Sequence, residues 1–215
     1  MNLSTLDLAN CIYLDIEALA ESNPGHIPVP FFAGTYSPSL PGKERYKVSL
    51  IADAWCSGLP PIRHSVEISE LKKVFAGTIA AAKRQGGKII SWSDYESQAC
   101  KAYAPELFDE FDSLNINFLP VAKAFIESVS PDRVDTEAMR LLASYVNCDH
   151  PEYSVVENVR NESGLDDLLV QHAGLEWNIW PDKQKDRFRN VIEYNYIDCQ
   201  ELPNFVKLVA QAHSS

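Results

Sequence analysis

Asp15 and Glu17 stand one residue apart inside the apolar run Ile12-Tyr13-Leu14-Asp15-Ile16-Glu17. The Ile, Tyr and Leu around them are the composition of a buried strand. Side chains on a strand alternate faces, so the two carboxylates point one way and Leu14 and Ile16 the other. Like charges held side by side resist burial unless something neutralises them. A divalent cation such as Mg²⁺ does so, because hard cations take carboxylate oxygens. The plain alternative is a strand with an acidic outer face, so the pair needs partners elsewhere in the chain.

Two further segments offer them. Ile89-Ile90-Ser91-Trp92-Ser93-Asp94-Tyr95-Glu96 reads as a short strand running into a helix. Acids in a first helical turn are favoured by the helix dipole, which accounts for Asp94. Glu96 falls just beyond the end of a strand, where open α/β sheets place their sites. Asp94 competes for the same role. Near the end of the chain, Tyr194 and Asp198 in Tyr194-Asn195-Tyr196-Ile197-Asp198 are four apart and share a helix face. Without partners, Tyr194 would be a core side chain and Asp198 a solvated one.

In that order, the acid pair, the later acid and Y-x-x-x-D resemble the DEDD superfamily of 3′–5′ exonucleases, which have an RNase H-like fold. Asp15 and Glu17 match the first motif. Tyr95-Glu96 lies where the family has an aromatic followed by Asp, and Tyr194 and Asp198 match the tyrosine-containing third motif. The Ser-Trp-Ser-x-Tyr-Glu wording looks most like predicted RNase H-like nuclease domains with Glu in the second motif. Ser91, Trp92 and Ser93 depart from the pattern, since members often have Asn in that stretch. Glu96 also carries one methylene more than the usual Asp, which changes its reach.

The resemblance implies a metal-dependent nuclease, a 3′–5′ exonuclease using two Mg²⁺ or Mn²⁺ ions on a single-stranded DNA or RNA end. Asp15 would bridge both ions, and Glu17, Glu96 and Asp198 would complete the coordination. Two such metals stabilise both the attacking and the leaving oxygen. Tyr194 would orient the water, because a phenol with a pKa near 10 is a poor general base. Two other readings stay open: a catalytically degenerate RNase H-like binding or assembly module, and a metal-dependent hydrolase of small nucleotides.

Positioning these residues needs a particular set of elements. Strands are expected over 10–18 and 46–54, with a short apolar run at 29–33 between them, giving an antiparallel start to the sheet. Leu71, Val74, Phe75, Ile79 and Ala82 recur at helical spacing and predict a helix over 69–84, stopped by Gly86-Gly87. A strand at 88–91 and a helix at 94–103 follow. From 107 the pattern is largely helical, clearest over 116–129, 136–145, 165–172, 183–198 and 203–212, with loops at 147–153 and 174–181. The insert at 113–153, with Asp132 and Asp135, has no assigned role. The order implies one α/β domain over 1–215: a mixed sheet, antiparallel first and then parallel, flanked by helices and helix-rich in its second half.

Bulk properties bound the rest. With 46% apolar and 23% charged residues in 215, the chain reads as an ordinary globular protein. The net charge of −11 argues against a simple electrostatic nucleic-acid binder but leaves phosphate contact through bound metals open. No apolar run approaches a membrane span and no signal-peptide pattern opens the chain, so no membrane partner is expected. Five scattered cysteines, never in C-x-x-C, suit reduced thiols in a cytoplasm. Lys183, Lys185, Arg187 and Arg189 are expected on a solvated surface. Trp92, Trp177 and Trp180 could stack bases but fit core anchors better. His64 is expected to be structural. Cys148-x-His150 lacks a second pair nearby, so zinc is not expected.

Overall fold

A computed structural model describes residues 6–18, 26–52, 55, 63–129 and 175–212 of the 215. The helices expected over 136–145 and 165–172, the loop at 147–153, Asp132, Asp135 and the Cys148-x-His150 pair lie outside the described residues.

The expected α/β class and mixed sheet are present. β1 (Ile12–Ala18), β2 (Pro30–Tyr36) and β3 (Tyr46–Ile51) form an antiparallel meander, followed by β4 (Ser65–Ser69) parallel to β3. α1 (Leu71–Gln85) leads to β5 (Ile89–Ser91), and α2 (Tyr95–Tyr103) and α3 (Phe108–Leu114) lead to β6 (Asn115–Asn117). β5 and β6 run parallel to β1, which gives a six-stranded sheet in the order β4-β3-β2-β1-β5-β6. α4 (Leu119–Val129) and the long α5 (Asp182–Ala212) complete the described elements. None of these helices is long and apolar enough to cross a membrane.

Alternation along β1 builds three layers. Ile12, Leu14 and Ile16 pack with Leu71, Val74, Phe75 and Phe111 on the side of α1 to α3. Tyr13, on the other face, packs with Ile126 of α4 and Leu202 and Phe205 of α5. Asp15 and Glu17 share the face of Tyr13 and so look toward α5. Phe188, Val191, Ile192 and Cys199 of α5 continue the packing over β2 and β3. Burying each large apolar side chain stabilises by about 1.5–3 kcal/mol.

Four expectations change. The strand at 46–54 ends at Ile51. β4 appears at the sheet edge just before α1, with Ile68 still 40% exposed. Residues 115–117 pair with β5 as a strand instead of opening the helix expected at 116. α5 runs unbroken through Pro203 where two helices are expected. An interior proline costs about 3 kcal/mol, and burial of Leu202, Phe205 and Val206 around it outweighs that. At the end of α1, Gly86 adopts φ +66° and the amides of Gly86 and Gly87 bond back to Lys83 and Ala82, closing the helix as its glycines predict.

Candidate functional site

β5 pairs with β1 only as far as Leu14↔Ser91 and then turns away. The next inward amide on that edge of β1 belongs to Ile16, between the two acids. The carboxylate of Glu96 takes it: Ile16 N donates to Glu96 Oε1 at 3.3 Å, and Ser93 Oγ donates to Oε2 at 3.2 Å. A side chain thus continues the ladder that the strand abandons. Glu96 reaches this place because it sits one residue into α2, whose first residue Tyr95 is anchored through its hydroxyl to Pro28 O at 2.7 Å. Asp94 is exposed and accepts from Gln98 Nε2 instead. Of the two candidates, the fold sets Glu96 against β1.

Glu96 is 2% exposed. Burial raises its pKa to about 7, and the neighbouring charge of Glu17 adds to the rise, against hydrogen bonds that favour the anion. A carboxyl raised in the folded state stabilises fully below its ordinary range and loses that contribution as pH climbs through about 7. In metal-free buffer, Glu96→Gln is expected to match the wild type near pH 4.5 and exceed it by up to about 3 kcal/mol at pH 8. Urea unfolding at the two pH values measures the gap; a gap independent of pH refutes the assignment.

From the other side, α5 delivers Asn195. Its apolar stripe, Phe188, Ile192, Cys199, Leu202 and Val206, has Asn195 at the position facing β1 and β2, fully buried. Asn195 Nδ2 donates to Asp15 Oδ2 at 2.6 Å and to Asp15 O at 3.3 Å, while Oδ1 accepts from Tyr46 Oη at 2.7 Å. Both Asp15 oxygens are acceptors, so only one orientation of the amide fits. Gly34, which pairs with Asp15 across β1 and β2, leaves the room: a Cβ there would stand 1.7 Å from Asn195 Oδ1 and 2.9 Å from Tyr46 Cε2. Gly34→Ala therefore costs about 1–3 kcal/mol by overpacking, read as a lowered urea midpoint. A midpoint unchanged from wild type would contradict the contact.

The motif reading does not single out Asn195. Its signal in the sequence is a polar residue at an apolar position of the α5 stripe. Tyr194 and Asp198 lie beside it, half-buried, one turn apart on one flank. Glu201, a buried carboxylate outside the motifs, continues that flank and accepts from Asn204 Nδ2 at 2.8 Å.

The acids act on a common neighbourhood. Burial pushes the Cys199 thiol well up, and the charges of Asp15, Asp198, Glu17 and Glu96 push it further. Among the described residues, however, no three Asp, Glu, His or Cys side chains stand close enough to hold one ion together. Asp15, Glu17, Glu96 and Asp198 each carry the hard oxygen donors that divalent cations take.

Other residues keep structural roles. Trp177 and Trp180 are buried with Trp55 and Phe188, their rings 5.0–5.8 Å apart, as core anchors. Trp92 packs on Phe118. His64 bonds Glu193 at 2.8 Å and packs with the rings of Tyr46 and Tyr196, the three centroids 4.6–5.0 Å apart. Lys185 and Arg189 pair with Asp182 and Asp186 along α5. Cys11, Cys100 and Cys199 are buried free thiols. No protein-family model, curated protein or solved structure matches the chain.

Proposed function

We propose that this protein is a divalent-metal-dependent phosphodiester hydrolase of RNase H-like fold, acting as a 3′–5′ exonuclease on single-stranded DNA or RNA ends. The observation that carries the reading is the double tether on β1. Glu96 is bonded to the amide between Asp15 and Glu17, and Asn195 is bonded to Asp15 itself. Segments far apart in sequence are thereby held at the carboxyl end of β1, where open α/β sheets bind ligands. The antiparallel β1-β2-β3 meander with β5 and β6 added in parallel beside β1 supports the fold reading.

Asp15, Glu17, Glu96 and Asp198 would hold Mg²⁺ or Mn²⁺, which would neutralise the phosphate and stabilise charge on the attacking and leaving oxygens. Asn195 holds the Asp15 carboxylate toward α5 through Oδ2. Glu96 must lose its proton to serve, so metal affinity rises with pH through about 7. Tyr194, one turn before Asp198, orients the nucleophilic water without taking its proton.

The test is release of mononucleotides from 5′-labelled single strands of DNA and RNA in Mg²⁺ or Mn²⁺ against EDTA. Successive shortening from the 3′ end is the expected result. No release with either ion overturns the proposal. A second reading, a non-catalytic binding module, is favoured by the two hydrogen bonds that already occupy the Glu96 carboxylate. Calorimetry separates the two, because that reading predicts no divalent-cation binding up to millimolar concentration.

A further inference from the structure

On the face of the sheet opposite the acids, residues of α1 and of β1, β2, β3 and β4 border a gap. The gap is a cleft of about 250 Å³. The sheet lines it with Ile12, Thr35 and Ser49, and α1 with Val74, Thr78 and Ala81. Ser37 and Gln85 bond to each other across one end. Its charge runs against the molecule: Arg45, Lys47, Lys73 and Arg84 line it with only Glu44 and Glu67 as anions, in a chain of net −11.

The pairing inside the cleft leaves positive charge over. Glu67 is satisfied by Lys47 at 2.7 Å and by Ser49 Oγ at 3.1 Å. Lys73 turns to Glu70 at 2.7 Å on the exposed side of α1. Arg45 spends Nε on Leu40 O. The Arg84 side chain makes no hydrogen bond or ion pair among the described residues. Guanidinium groups bind phosphate bidentately, which gives this surplus a natural ligand.

Gly77 adds an independent observation. It sits in the middle of α1 and lines the cleft, and a Cβ built on it meets nothing within 4 Å. Glycine inside a helix costs about 1 kcal/mol relative to alanine. Nothing in the packing requires the absence of a side chain here, whereas a ligand lying against α1 would.

We propose that this cleft binds a small phosphorylated molecule no larger than a nucleoside monophosphate, its phosphate on Arg45 and Arg84 and its body against Val74 and Gly77. The site is separated by the thickness of the sheet from the acids of β1 and does not depend on the metal. Calorimetry in EDTA tests it with adenosine 5′-monophosphate and ribose 5-phosphate against adenosine and ribose. At least one phosphorylated probe is expected to bind below about 1 mM, with its unphosphorylated counterpart at least about tenfold weaker. Arg84→Glu and Gly77→Leu, the second adding bulk without changing charge, are each expected to weaken that binding about tenfold, with the circular dichroism spectrum unchanged. Binding of neither phosphorylated probe overturns the proposal. So does equal binding of a probe and its unphosphorylated counterpart, or binding retained in both variants. Because the measurement excludes divalent ions, its failure leaves the nuclease reading untouched, and the reverse holds as well.

Discussion

Asp15→Asn is expected to lower metal-supported nucleotide release about a thousand-fold while the protein stays folded. Asparagine has the same shape, so an amide oxygen can still accept from Asn195 Nδ2, which now lies 2.6 Å from Asp15 Oδ2. What disappears is the negative charge. A ligand carboxylate contributes several kcal/mol to charge stabilisation through its metal, and each 1.36 kcal/mol is tenfold in rate. Stability moves little, because the isosteric amide keeps an acceptor for Asn195 Nδ2. Initial rates in Mn²⁺ and the melting temperature of the same preparation check both halves. Activity within tenfold of wild type would remove Asp15 from the reaction.

Asn195→Asp has the largest expected effect on stability. The native amide donates to Asp15 in a partly buried bond and accepts from Tyr46 in a buried one. A carboxylate at 195 has no proton to give, so two anions would face each other where the native contact is 2.6 Å. Leaving a buried charge uncompensated costs about 3–5 kcal/mol. The loss should shrink at low pH, where one of the two carboxyls takes a proton and can donate. In EDTA at neutral pH the variant is expected to unfold at markedly lower urea concentration than wild type, and to recover part of the difference near pH 5. Equal stability at neutral pH would mean that the Asn195 contact does not hold α5 to β1.

The fold was readable in the sequence where long elements with one clear period had a buried face. β1, α1 and α2 fall within a few residues of their expected bounds, because Ile12, Leu14 and Ile16 alternate and Leu71, Val74, Phe75, Ile79 and Ala82 recur at helical spacing. β4 and β6 escape that reading for physical reasons. β4 is an edge strand whose residues are half-exposed or exposed, and β6 buries only Ile116 in three residues. So short a segment carries no period, and Ile116 with Phe118 and Leu119 suits a helix equally well. Pro203 reads locally as a break, yet the packing on either side of it carries α5 through.

The candidate site divides along the same line. The motif spacing placed Asp15 and Glu17 on one face and set Tyr194 one turn from Asp198, and the structure has both arrangements. Spacing could not say how the segments meet. The tether of Glu96 to Ile16 arises because β5 leaves β1 early, and the tether of Asn195 to Asp15 requires the gap at Gly34. Both are tertiary facts joining residues 80 and 180 positions apart.

Whether these carboxylates form one cation site is decided by a crystal soaked in Mn²⁺ and measured at the manganese absorption edge. Anomalous density is expected between β1 and α5, with oxygens of Asp15, Glu17, Glu96 and Asp198 at coordination distance. A well-ordered crystal with no manganese there, or with the ion held by other residues, would contradict a shared site.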